Sequence, residues 1–285
     1  MEKTEIFADL HLHSTASDGI LSPTDLVGAC KKCGLKAICL TDHDTIKGVE
    51  EASAAAKNSE IEFAAGIELS CGIPNQDYSL HVLGLFIDPT NSQLIELLRK
   101  HENARRERAF KILSLLKGLN VNVEPLRLEF EKLTDQLLAR PHIARFLLSV
   151  GAVSDFQEAF EKFLKKGAPA YVPKLALSPE KGIEAIHNAG GLAFIAHPGL
   201  DLNWEATFSK VENLPWDGIE VFYGDHDPSQ TEKFRKLAER KGWLMSGGSD
   251  YHGECGKHVA RLGQTGLSRE KFNLLAEASK TCRKK

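Results

Sequence analysis

No stretch of this 285-residue chain approaches the roughly 18 consecutive apolar residues that a membrane-spanning helix needs. The opening residues, Met1-Glu2-Lys3-Thr4-Glu5, are charged and lack the apolar core of a secretory leader. From these absences we expect a cytoplasmic protein without a membrane-spanning helix. Charge of one sign is also missing. Thirty-six Lys and Arg stand against 39 Asp and Glu, a formal net charge of -3, so no binding of duplex DNA is expected. A small anion held in a local cationic pocket stays possible. Cysteine patterning is sparse: of six cysteines, Cys30 and Cys33 form one CxxC, and no second one exists to complete a zinc site. Reduced thiols, not a disulfide framework, are the expectation. Repeats and low-complexity segments are absent.

Short apolar runs alternating with helical patterns are abundant. Ile6 to Leu10, Ala37 to Thr41, Phe63 to Leu69 and Ser79 to Ile87 read as strands in the first half, with helices from Ser22 to Gly34 and from Thr45 to Lys57. Leu192 to Ala196, Gly218 to Val221 and Trp243 to Ser246 read as strands in the second, with helices Pro179 to Ala189 and Pro228 to Lys241. Such alternation implies parallel βαβ units and an α/β fold. The middle differs. A long charged helix from Asn91 to about Leu116 leads into residues 118–174, which lack strands and read as an inserted helical subdomain. The flanking residues 1–117 and 175–285 then form two parts of one unit, and its pattern fits either a barrel or an open doubly wound sheet.

Titratable residues gather where the expected strands end: Asp9, His11 and His13; Asp42 and His43; Glu68; His81; His197; Asp250 and His252. In α/β barrels those ends converge on the active site. Imidazole and carboxylate suit Mn, Fe or Zn without any thiolate. On an extended segment His11 and His13 leave the same face about 6–7 Å apart and can grip one ion. Asp9 and Asp42 can orient the ligand imidazoles. A lone strand histidine such as His81 is more often a hydrogen-bonded core residue, and Asp42-His43 alone is often a turn. The argument rests on their joint placement at successive strand ends.

The motifs Asp9-Leu10-His11-Leu12-His13-Ser14, Thr41-Asp42-His43-Asp44, Gly66-Ile67-Glu68, His81, Ala196-His197-Pro198 and Gly248-Ser249-Asp250-Tyr251-His252 resemble, in order, those of the PHP (polymerase and histidinol phosphatase) family. The resemblance implies a distorted (β/α)7 barrel with an inserted helical subdomain and two or three divalent ions, manganese first, iron or zinc otherwise. It implies one ion on His11, His13, Glu68 and Asp250, and a second on Glu68, His81 and His197, with Glu68 bridging. A third falls to His43, His252 and Asp18; many relatives carry histidine where this chain has Asp18.

Thr15-Ala16-Ser17-Asp18-Gly19 and the insertion, with Arg140-Pro141-His142-Ile143-Ala144-Arg145, further resemble the 3',5'-nucleotide bisphosphate phosphatase branch, which also contains 5'-to-3' exoribonucleases. The resemblance implies removal of the 3'-phosphate from nucleoside 3',5'-bisphosphates by a metal-activated water. Arg140 and His142 would hold the 5'-phosphate, Lys174 and His226 are further contacts, and His197 or His226 would assist the leaving oxygen. The partners expected are a small nucleotide or short 5'-phosphorylated RNA. Rival readings are the exoribonuclease at the same site, a monophosphatase acting on nucleoside 5'-phosphates or histidinol phosphate, a metal-dependent hydrolase of other esters or amides, and a non-catalytic metal-binding accessory domain. The oligomeric state is not legible in the sequence.

Overall fold

The computed structural model describes residues 5–73, 79–132, 140–173, 175–253 and 262–282. Packing divides the chain into two compact units, Met1–Glu96 with Ala176–Lys285, and Leu97–Leu175. Among the described residues seven strands occupy the first unit: β1 (Ala8–Leu12), β2 (Ala37–Leu40), β3 (Glu62–Gly72), β4 (Ser79–Leu85), β5 (Leu192–Ile195), β6 (Gly218–Tyr223) and β7 (Leu244–Gly248). The helices are α1 (Pro23–Lys32), α2 (Val49–Ser59), α3 (Ser92–Gly118), α4 (Glu124–Lys132), α5 (Arg140–Ser149), α6 (Phe156–Ala159), α7 (Pro179–Asn188), α8 (Trp204–Val211), α9 (Pro228–Lys241) and α10 (Arg269–Cys282). A π-helical turn, Phe160–Leu164, follows α6. None of the described helices is long and apolar enough to cross a membrane.

The strands pair in chain order. The edges β1 and β7 then meet where Asp250 N donates to His11 O at 2.8 Å and His13 N donates to Tyr251 O at 3.1 Å. The result is a distorted, nearly closed seven-stranded α/β barrel. The parallel units expected from the alternation are interrupted at β4, which runs antiparallel to both β3 and β5. Chain length explains this. Only residues 73–78 separate β3 from β4, far fewer than the dozen or more that a parallel crossover requires.

Period-two alternation sorts the strand side chains. Ala37 and Cys39 of β2 share a buried cluster with Ala64, Leu83, Leu85, Leu192 and Phe194. Their neighbours Ile38 and Leu40 pack with Leu26, Val27, Ala52 and Ala56 of α1 and α2. Gly218 is required by this core, because a Cβ there would lie 2.2 Å from the Phe194 ring. Local signals set the helix ends. Ser22 Oγ accepts Asp25 N at 3.1 Å to cap α1, and α9 opens on an Asp227–Gln230 capping box and ends at Gly242 in the left-handed region. Helix α2 begins at Val49, not Thr45: Asp44 adopts φ +53° and Thr45 Oγ1 accepts Lys47 N at 3.2 Å, so residues 41–48 form a loop.

In the second unit Ala109, Ile112, Leu113 and Leu116 follow helical spacing on α3 and pack with Leu126, Phe130, Ile143, Leu147 and Phe163.

Candidate metal centre

Alternation on β1 sends Leu10 and Leu12 to apolar clusters and leaves His11 and His13 to face the carboxylates of the neighbouring strands. His43 follows β2, Glu68 lies in β3, His197 follows β5, and Asp250 and His252 follow β7. His81 breaks the strand-end rule. It is the third residue of β4, and it reaches the same rim because β4 is reversed.

Glu68 is the hub, fully buried. Its Oε1 is 2.8 Å from His81 Nδ1 and 2.8 Å from His197 Nε2. Its Oε2 is 3.1 Å from His11 Nε2, 3.1 Å from His13 Nε2 and 3.1 Å from His43 Nδ1. Asp250 Oδ1 adds contacts of 3.3 Å to His11 Nε2 and 3.0 Å to His13 Nε2. Asp18 Oδ1 is 3.3 Å from His252 Nε2, and Asp18 lies 3.9 Å from both His13 Nδ1 and His43 Nε2.

Among the described residues, three sets bring their ligand atoms within 4.8 Å of one another: His11, His13, Glu68 and Asp250; His43, Glu68 and His81; His13, Asp18, His43 and His252. The first is the quartet expected from the sequence. In the second, His43 stands beside Glu68 and His81, while His197 Nε2 lies 3.2 Å from His81 Nδ1. His43 faces both ways, Nδ1 toward Glu68 and Nε2 toward Asp18.

These residues fit divalent cations. Both ring nitrogens of His13, His43 Nδ1 and Asp250 Oδ1 are buried without a hydrogen-bond partner. Their short contacts are not aligned as hydrogen bonds. A buried polar atom without a partner costs roughly 1–3 kcal/mol, so several converging on one point mark a site shaped for a cation. The all-nitrogen-and-oxygen donor set suits Mn, Fe or Zn.

Charge supports the same reading. Burial alone would raise the Glu68 carboxyl, but His43, His11 and His81 hold it well below the usual range. Asp250 is lowered in the same way, burial being outweighed by His11 and His13, and so is Asp18, by His252 and His43. Burial pushes His43 down to about 4, leaving a neutral ring with a free lone pair. For His13 burial works downward but Asp250 and Glu68 outweigh it, raising the ring to about 10. A proton and a metal ion compete for such nitrogens.

Glu220 was not singled out in the sequence, yet it is fully buried beside the centre. Its Oε1 accepts His11 Nδ1–H at 3.0 Å and its Oε2 accepts His197 N at 2.7 Å. The available signal was one carboxylate in the apolar run Gly218-Ile219-Glu220-Val221. Tyr223 OH, also missed, donates to Asp250 Oδ2 at 2.9 Å.

Asp9 and Asp42 are placed differently from expectation. Asp9 Oδ1 accepts the backbone N–H of His11 at 3.2 Å and of Ser249 at 3.0 Å, and burial pushes its carboxyl up to about 6. Asp42 accepts Ser14 N at 2.7 Å, Ser14 Oγ at 2.7 Å and Ser17 Oγ at 2.6 Å. Both brace the strand-end loops, accepting their hydrogen bonds from nearby backbone and hydroxyl donors. Asp42→Ala should therefore lower stability by about 3 kcal/mol, a fall in Tm of roughly 6–12 °C in a thermal melt. An unchanged Tm would contradict the bracing role. The backbone is strained here too: Asp44, His197 and Asp250 hold φ values of +53°, +25° and +53°, each a conformation costing on the order of 1 kcal/mol or more for a non-glycine residue.

His226 uses both nitrogens on backbone. Nδ1–H donates to Val221 O at 3.1 Å and Nε2 accepts Gly199 N at 3.1 Å. That leaves neither nitrogen for substrate or leaving group, and corrects the expectation of a catalytic or substrate-binding role. His197 is only 5% exposed, with Nε2 against Glu68, which suits a ligand better than a proton donor. In the helical unit Arg140 opens α5, its Nη1 donating to Leu164 O at 3.1 Å and its guanidinium lying 5.7 Å over Phe160. His142 is half-buried in the same turn. Lys174 lies outside the described residues.

Comparison with known proteins agrees with this geometry. The chain is 36% identical over 256 residues to a 5'-3' exoribonuclease of Haemophilus influenzae, covering 87% of this chain and 90% of that one. It is 35% identical over 265 residues to a 3',5'-nucleoside bisphosphate phosphatase of Chromobacterium violaceum, covering 88% and 90%. Among solved structures, an amidohydrolase from Chromobacterium violaceum with bound sulfate and no metal superposes with a TM-score of 0.75 at 33% identity, over 95% of this chain and 96% of that one. A Bifidobacterium adolescentis protein, provisionally described as a metal-dependent phosphoesterase, gives 0.74 at 26% identity, over 96% of each. The model of the PHP domain matches residues 9–165, more than half of the chain, and with the barrel and the histidine–carboxylate rim in place the chain belongs to the PHP family.

Proposed function

We propose that this chain is a metal-dependent phosphoesterase that removes the 3'-phosphate from nucleoside 3',5'-bisphosphates, converting adenosine 3',5'-bisphosphate to AMP. The observation that carries the reading is Glu68, fully buried and within 3.1 Å of five imidazoles. We assign His11, His13, Glu68 and Asp250 to one ion, Glu68, His81, His197 and His43 to a second, and Asp18, His43, His252 and His13 to a third. Such ions, when bound, supply Lewis-acid stabilisation of the phosphoryl oxygens and make a water acidic enough to lose a proton near neutral pH. Manganese is our first assignment, with iron or zinc as substitutes.

The chain's own residues give the site a direction. His11, His13 and Glu68 are sealed, whereas the side chains of His43, His81 and His252 are 17%, 24% and 33% exposed. The scissile phosphate therefore approaches across His43, His81 and His252, with Asp18 at the outer edge.

Arg140 and His142 are our candidates for gripping the 5'-phosphate, since arginine offers a planar fork of donors to phosphate oxygens. In the helical unit, burial and the neighbouring Arg140 charge, despite Tyr171, push Arg108 down to about 10. Cations crowded in this way favour a bound anion. A grip on the non-reacting phosphate uses remote binding energy to position the reacting one. Arg140→Ala should then lower kcat/KM on adenosine 3',5'-bisphosphate about 10–100-fold while changing turnover of an aryl phosphate about twofold or less. Equal losses on both substrates would refute the role.

A second reading, 5'-to-3' exoribonuclease activity at the same site, is favoured by the Haemophilus influenzae relative. Comparing phosphate release from the bisphosphate with trimming of 5'-phosphorylated RNAs of increasing length separates the two. A cytoplasmic setting fits nucleotide substrates and the free thiols of Cys30, Cys33, Cys39, Cys71 and Cys282.

A further inference from the structure

We propose that Glu220 is a positioning residue that sets two ligands of the metal centre at once, fixing the ring of His11 and the backbone of His197. This rests on the metal-centre reading above. His11 Nδ1–H donates to one carboxylate oxygen at 3.0 Å and His197 N–H donates to the other at 2.7 Å. With its proton held on Nδ1, His11 presents the Nε2 lone pair, the atom that faces Glu68 at 3.1 Å and Asp250 at 3.3 Å. The second bond matters because His197 sits at φ +25°, a backbone conformation that persists only when its surroundings enforce it. From that turn its Nε2 reaches Glu68 Oε1 at 2.8 Å. One buried side chain on β6 thus ties the quartet around His11 to the group around His81.

The chemistry of the two donors makes the claim sharp. Only a carboxylate offers an acceptor on both arms. Glutamine has nearly the same shape but one oxygen and one NH2. If its oxygen faces His197 N–H, its NH2 faces His11 Nδ1, and the ring must move its proton to Nε2, which cannot then bind a cation. If its oxygen faces His11, the NH2 opposes the His197 N–H and the strained turn loses its tie. Either way one ligand is lost, with almost no change in packing volume.

The test compares wild type and Glu220→Gln, both stripped of metal and titrated with Mn(II) by calorimetry, with bound metal counted by mass spectrometry. Wild type should take up two or three equivalents. Glu220→Gln, with an unchanged far-UV spectrum, should lose at least one equivalent or bind about 10–100-fold more weakly. Equal stoichiometry and affinity would overturn the role of Glu220 and leave the metal centre intact. Wild type that takes up no Mn(II) would overturn both. A measurement on wild type alone guards against a variant that fails to fold. In zinc-loaded, 15N-histidine-labelled protein, His11 should carry its proton on Nδ1. A proton on Nε2 would overturn the assignment.

Discussion

Glu68→Gln is expected to reduce phosphate release roughly 10³-fold or more and to strip the centre of at least the ions that share Glu68. The side chain stands among His11, His13, His43, His81 and His197, with both oxygens engaged. Glutamine keeps the shape but replaces one oxygen with a donor and removes the negative charge. If the NH2 takes the Oε1 position, it faces His81 and His197; in the other rotamer it faces three rings. No arrangement leaves both metal groups with an anionic bridge. Mass spectrometry of the purified variant should therefore find fewer ions than in wild type, in parallel with lost turnover. Full activity in a variant carrying the wild-type complement of ions would remove Glu68 from the centre of the site.

Chelation should produce the other large effect, on stability as much as on activity. An ion at about 1,000 times its dissociation constant stabilises the folded state by about 4.1 kcal/mol. For a chain of this size that is a Tm rise of about 8–16 °C for one site. Several buried polar atoms of the centre have no hydrogen-bond partner within the protein, and a cation would satisfy them. Thermal melts after extensive dialysis against chelator, followed by readdition of Mn, Fe or Zn, read the effect directly. The ion that restores both Tm and phosphate release at the lowest concentration is the one the site prefers. A melting curve indifferent to all three would count against the centre as a whole.

Most of the rim was legible in the sequence because strand geometry is regular. His11 and His13 share a face by period-two alternation, and His43, Glu68, His197 and Asp250 follow from strands whose apolar runs are plain. What was not legible had particular causes. The direction of β4 is set by the short link of residues 73–78, and pattern reading treats a strand the same in either direction. Glu220 looked like an ordinary residue of a strand because its partners, His11 and the His197 backbone, lie 209 and 23 residues away. Asp9 and Asp42 lie next to rim histidines in the sequence, but proximity in sequence does not say which donor a carboxylate will take. His226 carried a polar look that its two backbone bonds absorb.

The seam between β1 and β7 sets a timetable for the molecule. His11 belongs to β1 and Asp250 follows β7, and they meet through the bond from Asp250 N to His11 O. Until residue 250 has emerged, the quartet lacks a carboxylate and the rim has an open side. Domains generally fold as units during synthesis, and here the rim closes only once residue 250 has joined His11. On the proposed assignment metal uptake would be a late step in maturation, and a nascent chain stalled before β7 would leave His11 and His13 without the Asp250 carboxylate that faces them.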